Sequence, residues 1–81
     1  MTRKLVRVTQ EHIERGVKKS CTYCPIGLAM HEAGIEESLF QYLWRMEPPM
    51  PPDSVRRFIM RFDQGKPVEP FNFYYLDLEL A

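Results

Sequence analysis

Eighty-one residues, 44% of them apolar and ten aromatic, with eleven basic and eleven acidic groups, describe one small domain (1–81) rather than a disordered tail. A chain this short buries only about 60–65% of the surface its unfolded form exposes, so self-association is an expected source of stability. Zero net charge argues against broad, non-specific nucleic-acid binding, and no apolar run approaches the ~20 residues of a membrane span.

Lys4 to Val8 alternates and is β-branched, which predicts a short strand. Thr9 follows as a helix N-cap, with Glu11 in the first turn where the helix dipole favours negative charge. Ile13 and Val17 lie four apart on one face, and Gly16 stands near the helix end, where a glycine can take a positive φ. Ser20 to Cys24 is a polar break. Pro25 opens the next helix, since its missing N–H costs nothing at the first helical position. Ile26, Ala29, Met30 and Ala33 form its buried stripe, and Gly34 closes it.

Leu39 to Met46 reads as a strand with Phe40, Tyr42, Trp44 and Met46 on one face. Pro48, Pro49, Pro51 and Pro52 end it, and the last two can sit at the mouth of a helix. That helix carries Val55, Phe58, Ile59 and Phe62 at i, i+3, i+4, i+7, and Gly65 and Pro67 terminate it. Val68 to Leu80 is expected to be a long final strand. Phe71, Phe73 and Tyr75 fall on one face, while Leu76, Leu78 and Leu80 fall on the other. Either a bulge near Tyr74 and Tyr75 re-aims the chain, or a second copy covers the tail. The expected fold is α+β, in the order β-α-α-β-α-β: a small, mostly antiparallel three-stranded sheet with three short helices on one face.

Several segments carry a resemblance. They are Glu11-His12-Ile13 with Gly16; Cys24-Pro25-Ile26-Gly27-Leu28-Ala29; Phe58 with Phe62-Asp63-Gln64-Gly65; and Val68-Glu69-Pro70-Phe71-Asn72-Phe73. As a set they resemble a family of short uncharacterised proteins found in phage and bacterial genomes. The likeness covers nearly the whole chain except the middle, around Ser38 to Met50, and the family pattern usually has Ala where this chain has Gly27. The resemblance implies a phage-type accessory protein, a class that binds and blocks more often than it catalyses.

Residues 1–20 hold six basic groups against Glu11 and Glu14, a balance of +4, and the remainder balances at −4. No segment has the order of a signal peptide, so a cytoplasmic location is expected (the host cell's, for a phage protein). There Cys21 and Cys24 would be thiols or ligands rather than a structural disulfide. With His12 and His31 they are the right types for zinc, but one C-x-x-C with histidines at no standard spacing is a weak metal signal. In a redox pair the first cysteine is the one activated at a helix start; here Cys24 takes that place, and the run before the pair is polar and basic. In the plainer reading Cys24 caps or packs at a helix start and Cys21 lies in a loop. His12 with Cys24 lacks an orienting third group and an oxyanion site at any recognisable spacing, so no enzyme activity and no cofactor are expected.

Arg56, Arg57 and Arg61 cluster on the helix face away from its apolar stripe. Solvated pairs with Asp53 and Asp63 are the bland reading. The functional reading is a contact for phosphate or for an acidic protein, which the guanidinium fork binds bidentately. Trp44, Tyr74 and Tyr75 have the amphipathic rings enriched in interfaces and stacking platforms. Three functions follow in order: a non-enzymatic blocker of a host protein acting through this aromatic and arginine surface; a counter-defence sponge for a small anionic ligand such as a cyclic nucleotide; and a zinc- or thiol-dependent protein using Cys21 and Cys24.

Overall fold

Strand β1 (Arg3–Val8) sends Val6 and Val8 inward and leaves Arg3, Leu5 and Arg7 outside, the period-two consequence of the pleat. In the computed structural model, which describes residues 3–20, 22–45 and 50–76, β1 pairs antiparallel with β2 (Phe71–Leu76). The register is unbroken from Arg3 opposite Leu76 to Val8 opposite Phe71. No bulge therefore re-aims the chain at Tyr74 and Tyr75. Leu78 and Leu80, whose phase raised that alternative, lie outside the described residues.

Between the strands run four helices: α1 (Gln10–Arg15), α2 (Pro25–Glu32), α3 (Leu39–Leu43) and α4 (Asp53–Asp63). The order among the described residues is β-α-α-α-α-β, with a two-stranded sheet. This corrects the expected three-stranded sheet with three helices. The strand assigned to Leu39 through Met46 is a helix over its first five residues; Met46 lies outside the described residues.

The reason is local. Ser38 caps α3 by accepting the Gln41 N–H at 3.2 Å, while the Gln41 side chain accepts the Ser38 N–H at 3.3 Å. This reciprocal capping box satisfies two donors that a strand would have sent to a neighbour. Leu39, Tyr42 and Leu43, at i, i+3 and i+4, then face the core. The alternating pattern and the helical pattern coexist in that window, and the cap decides between them.

α1 starts from a similar device. Thr9 Oγ1 accepts the His12 N–H at 3.3 Å, and the Thr9 N–H donates to His12 Nδ1 at 3.0 Å. Gly16, just past α1, has φ −67°, so left-handed geometry is not its role. A Cβ there would stand 2.5 Å from Cδ of buried Pro25, and glycine is what allows the chain to pass so close. Positive φ occurs instead at Gly34 and Gly65, which follow α2 and α4 as expected, and at Lys19.

The core lies on the inner face of the ribbon. Val6, Val8, Phe73 and Tyr75 meet Ile26, Ala29 and Met30 of α2, Leu39 and Tyr42 of α3, and Val55, Phe58 and Phe62 of α4. The sequence stripes of α2 and α4 are therefore the buried ones. Aromatic rings run through the core from Phe62 to Phe58, Phe71, Phe73, Tyr42 and Tyr75, each within 6.4 Å of the next. No helix among the described residues is long and apolar enough to cross a membrane.

Candidate functional site

The aromatic and arginine residues singled out by sequence do not form one site; they divide among four places. Tyr75 is in the core, 2% exposed. Its hydroxyl donates to Glu37 Oε1 at 2.7 Å and accepts from Arg45 Nη2 at 3.1 Å. Tyr75 is thus a structural tyrosine and not a stacking group at a surface.

Arg45, at the end of α3, organises this corner. Its side chain is 4% exposed and forks onto Glu37, with Nη2 at 2.6 Å from Oε1 and Nε at 3.3 Å from Oε2. Nη1 donates to the Leu76 carbonyl at 2.8 Å, and the guanidinium carbon stands 4.9 Å from the Tyr42 ring centroid. Each element of the cluster is thereby tied to the end of β2. A buried guanidinium persists only when its donors are met, and here they fasten α3 to the strand. Burial pushes the neighbouring Tyr42 hydroxyl up to about 12, with the Arg45 guanidinium opposing part of that rise.

The opposite side of α3 is exposed. Phe40 and Trp44, one turn apart, are 55% and 67% exposed, with ring centroids 5.8 Å apart. Arg56 reaches across from α4 to donate to the Leu43 carbonyl at 3.0 Å, a favourable place for a cation at a helix C-terminus. Arg56 is thus anchored to the carbonyl of the residue before Trp44, not to the Trp44 ring. Phe40 meets Trp44 only because α3 is a helix; the Ser38–Gln41 box is the sequence signal that finds it.

Arg57 and Arg61 lie elsewhere, along a groove of about 520 Å³ lined also by Ser54, Phe58, Val68, Glu69 and Phe71. Arg61 is held by two hydrogen bonds to the Pro67 carbonyl, at 3.1 and 3.3 Å. The Arg57 side chain makes no hydrogen bond or ion pair among the described residues. The expected pairing with Asp63 does not form; that carboxylate accepts the Lys19 N–H at 2.8 Å. Neither Trp44 nor Tyr74 lines this groove. Tyr74 stands on the outer face of the ribbon, 52% exposed.

The cysteine and histidine set is also dispersed. Cys24 is buried and caps α2, its Sγ accepting the Gly27 N–H at 3.4 Å. His12 has both ring nitrogens engaged. Nδ1 accepts the Thr9 N–H, which places the proton on Nε2, 3.0 Å from Glu32 Oε2. A metal at His12 would have to break one of these contacts. His31 is exposed near the end of α2. Among the described residues no group of three His, Cys, Asp or Glu side chains is placed to hold a metal ion; Cys21 lies outside them.

No protein-family model, no curated protein and no solved structure matches the chain. The functional reading therefore rests on the surfaces themselves: a pair of uncovered rings beside an anchored arginine, a groove with one uncommitted guanidinium, and a ribbon face with Tyr74.

Proposed function

We propose that this chain is a non-enzymatic accessory protein of the phage type, which binds and blocks a host protein in the cytoplasm through a surface centred on Trp44. The observation that carries the reading is the Phe40–Trp44 ring pair exposed on α3, at the end of which Arg56 is anchored on the Leu43 carbonyl. Covering a large apolar side chain contributes about 1.5–3 kcal/mol, and Trp, Tyr and Arg dominate the residues that carry interface energy. The family resemblance of the surrounding segments supports the same class. The commitment of both His12 nitrogens to structural contacts supports binding over catalysis. Self-association is part of the proposal, because a second copy is an available cover for surplus apolar surface on so short a chain.

Affinity capture from bacterial lysate is the test. One dominant partner should be recovered by the native chain and lost with Trp44→Ala combined with Arg56→Glu. It should be retained by Arg57→Glu combined with Arg61→Glu, whose side chains line a different groove. Recovery that ignores Trp44 would overturn the reading. Native mass measurement reports self-association in the same samples.

A second reading is favoured by Arg57, which is uncommitted beside aromatic groups in the α4 groove. There the chain would sequester a small phosphate-bearing ligand such as a cyclic nucleotide, with Phe71 rather than Trp44 or Tyr74 as its apolar contact. Binding to the folded state raises the melting temperature by mass action. A panel of cyclic nucleotides that leaves the melting temperature unchanged would eliminate this reading.

A further inference from the structure

The helices cover one face of the ribbon and leave the other to solvent. The register places three cross-strand pairs on the uncovered face: Arg3 with Leu76, Leu5 with Tyr74, and Arg7 with Asn72. Two of these six residues are cationic and none is acidic. The Arg3 guanidinium already lies over the Tyr74 ring, 4.8 Å from its centroid. The Arg7 side chain has no hydrogen bond or ion pair among the described residues. Four residues of extended strand separate the two arginines by about 13 Å, and the register puts the Tyr74 ring between them on the neighbouring strand.

We propose that this face binds single-stranded nucleic acid, with a base stacked on Tyr74 and flanking phosphates taken by Arg3 and Arg7. An aromatic ring on an open strand surface can stack on any base, because every base has a π-face, and nearby guanidiniums supply the charge that follows the backbone. The strand must be single, since a paired base has both faces occupied by its neighbours and cannot reach the ring. A second copy of the chain is a poor occupant: two such faces apposed would bring four guanidiniums together with no carboxylate among the six face residues to offset them. Zero net charge sets the scale. The footprint is local, so binding is modest in affinity, shallow in salt dependence and led by stacking. This surface is independent of the Trp44 surface, and the two can fail separately.

Fluorescence anisotropy of the full chain tests it, using fluorescein-labelled oligothymidylate and oligouridylate of about twelve nucleotides at roughly 50 mM salt. Both strands, or one of them, should bind; the tighter arm identifies DNA or RNA as the source of the strand. Tyr74→Ala should weaken binding about 5- to 150-fold, the range of losing one stacked base, while Tyr74→Phe should retain it. Two phosphate contacts predict a slope of about −1.4 in log K against log salt, shallower by about 0.7 in Arg7→Ala. Trp44→Ala should bind like the native chain. Circular dichroism checks that each variant is folded, and Arg7→Glu, on an exposed side chain, repeats the test without touching the ring. The proposal is overturned by any of three results: no binding by the native chain at that salt; binding indifferent to both Tyr74→Ala and Arg7→Glu; or equal competition by a blunt duplex or a polyglutamate peptide, which would assign the face to another class of partner.

Discussion

Tyr74 and Tyr75 are adjacent in the chain and chemically identical, yet one is half exposed under an arginine and the other is sealed beneath one. The same contrast holds across α3, where Arg45 is wholly engaged inside and Trp44 stands outside against Phe40. Arginine with aromatic groups is therefore not a signature of binding in this protein. It builds the joint between α3 and β2 on one side, and it leaves surfaces available for contact on the other. What separates the two uses is whether every donor already has an acceptor inside the fold.

The contrast is most easily broken at Arg45. Arg45→Ala leaves the Glu37 carboxylate without its cation and with only the Tyr75 hydroxyl of that cluster, and breaking a buried pair costs about 3–5 kcal/mol. Because Glu37 retains some access to water, the lower end of that range is expected in urea unfolding. A variant that unfolds like the native chain would show the joint to be dispensable. Gly16→Ala comes next. Its methyl group would meet the Pro25 ring at 2.5 Å, and overpacking of this kind costs about 1–3 kcal/mol; the midpoint of denaturation should fall with little change in slope.

Paired phenylalanine substitutions sharpen the comparison of neighbours. Tyr75→Phe loses two hydrogen bonds, one to a carboxylate and one from a guanidinium, and should cost about 1–3 kcal/mol. Tyr74→Phe, on the open face, should stay within about 0.5 kcal/mol of the native chain. Equal effects would mean that the inner network does not hold β2.

A separate effect is alkaline. Burial raises the Tyr42 hydroxyl from 10.0 to about 12 in the folded state. The unfolded chain therefore loses that proton first as pH rises. This contribution to stability is fully present below pH 10 and is lost between pH 10 and about 12. Thermal melts followed through that window should decline in the native chain and flatten in Tyr42→Phe.

Much of the frame was legible from the residues alone. Alternation located β1. Pro25 and Gly34 bracketed α2, and the i, i+3, i+4, i+7 stripes of α2 and α4 named their buried faces, because those signals are local and each had one period consistent with it. The middle of the chain is ambiguous because Leu39 to Met46 satisfies two periods at once, and its alternation alone predicts a strand where Leu39–Leu43 is helix. The arbiter was present in Ser38 and Gln41, whose reciprocal cap favours a helix. The candidate site was less legible. Sequence could nominate Arg56, Arg57, Arg61, Trp44, Tyr74 and Tyr75 by type, but it could not partition them among a core, two surfaces and a groove.

The amino-acid order by itself determined where five of the six elements lie, which helical faces turn inward, and that Cys24 stands at a helix start. Only the tertiary structure decided that Arg45 is interior, that Gly16 is there for its small size, and that the arginines of α4 part company. Those outcomes depend on which residues meet between elements: Arg45 meets Tyr75 and Leu76 across thirty or more positions, Gly16 meets Pro25, and Arg56 meets Leu43. Periodicity reports the direction of a side chain from its own backbone and carries no record of what waits there.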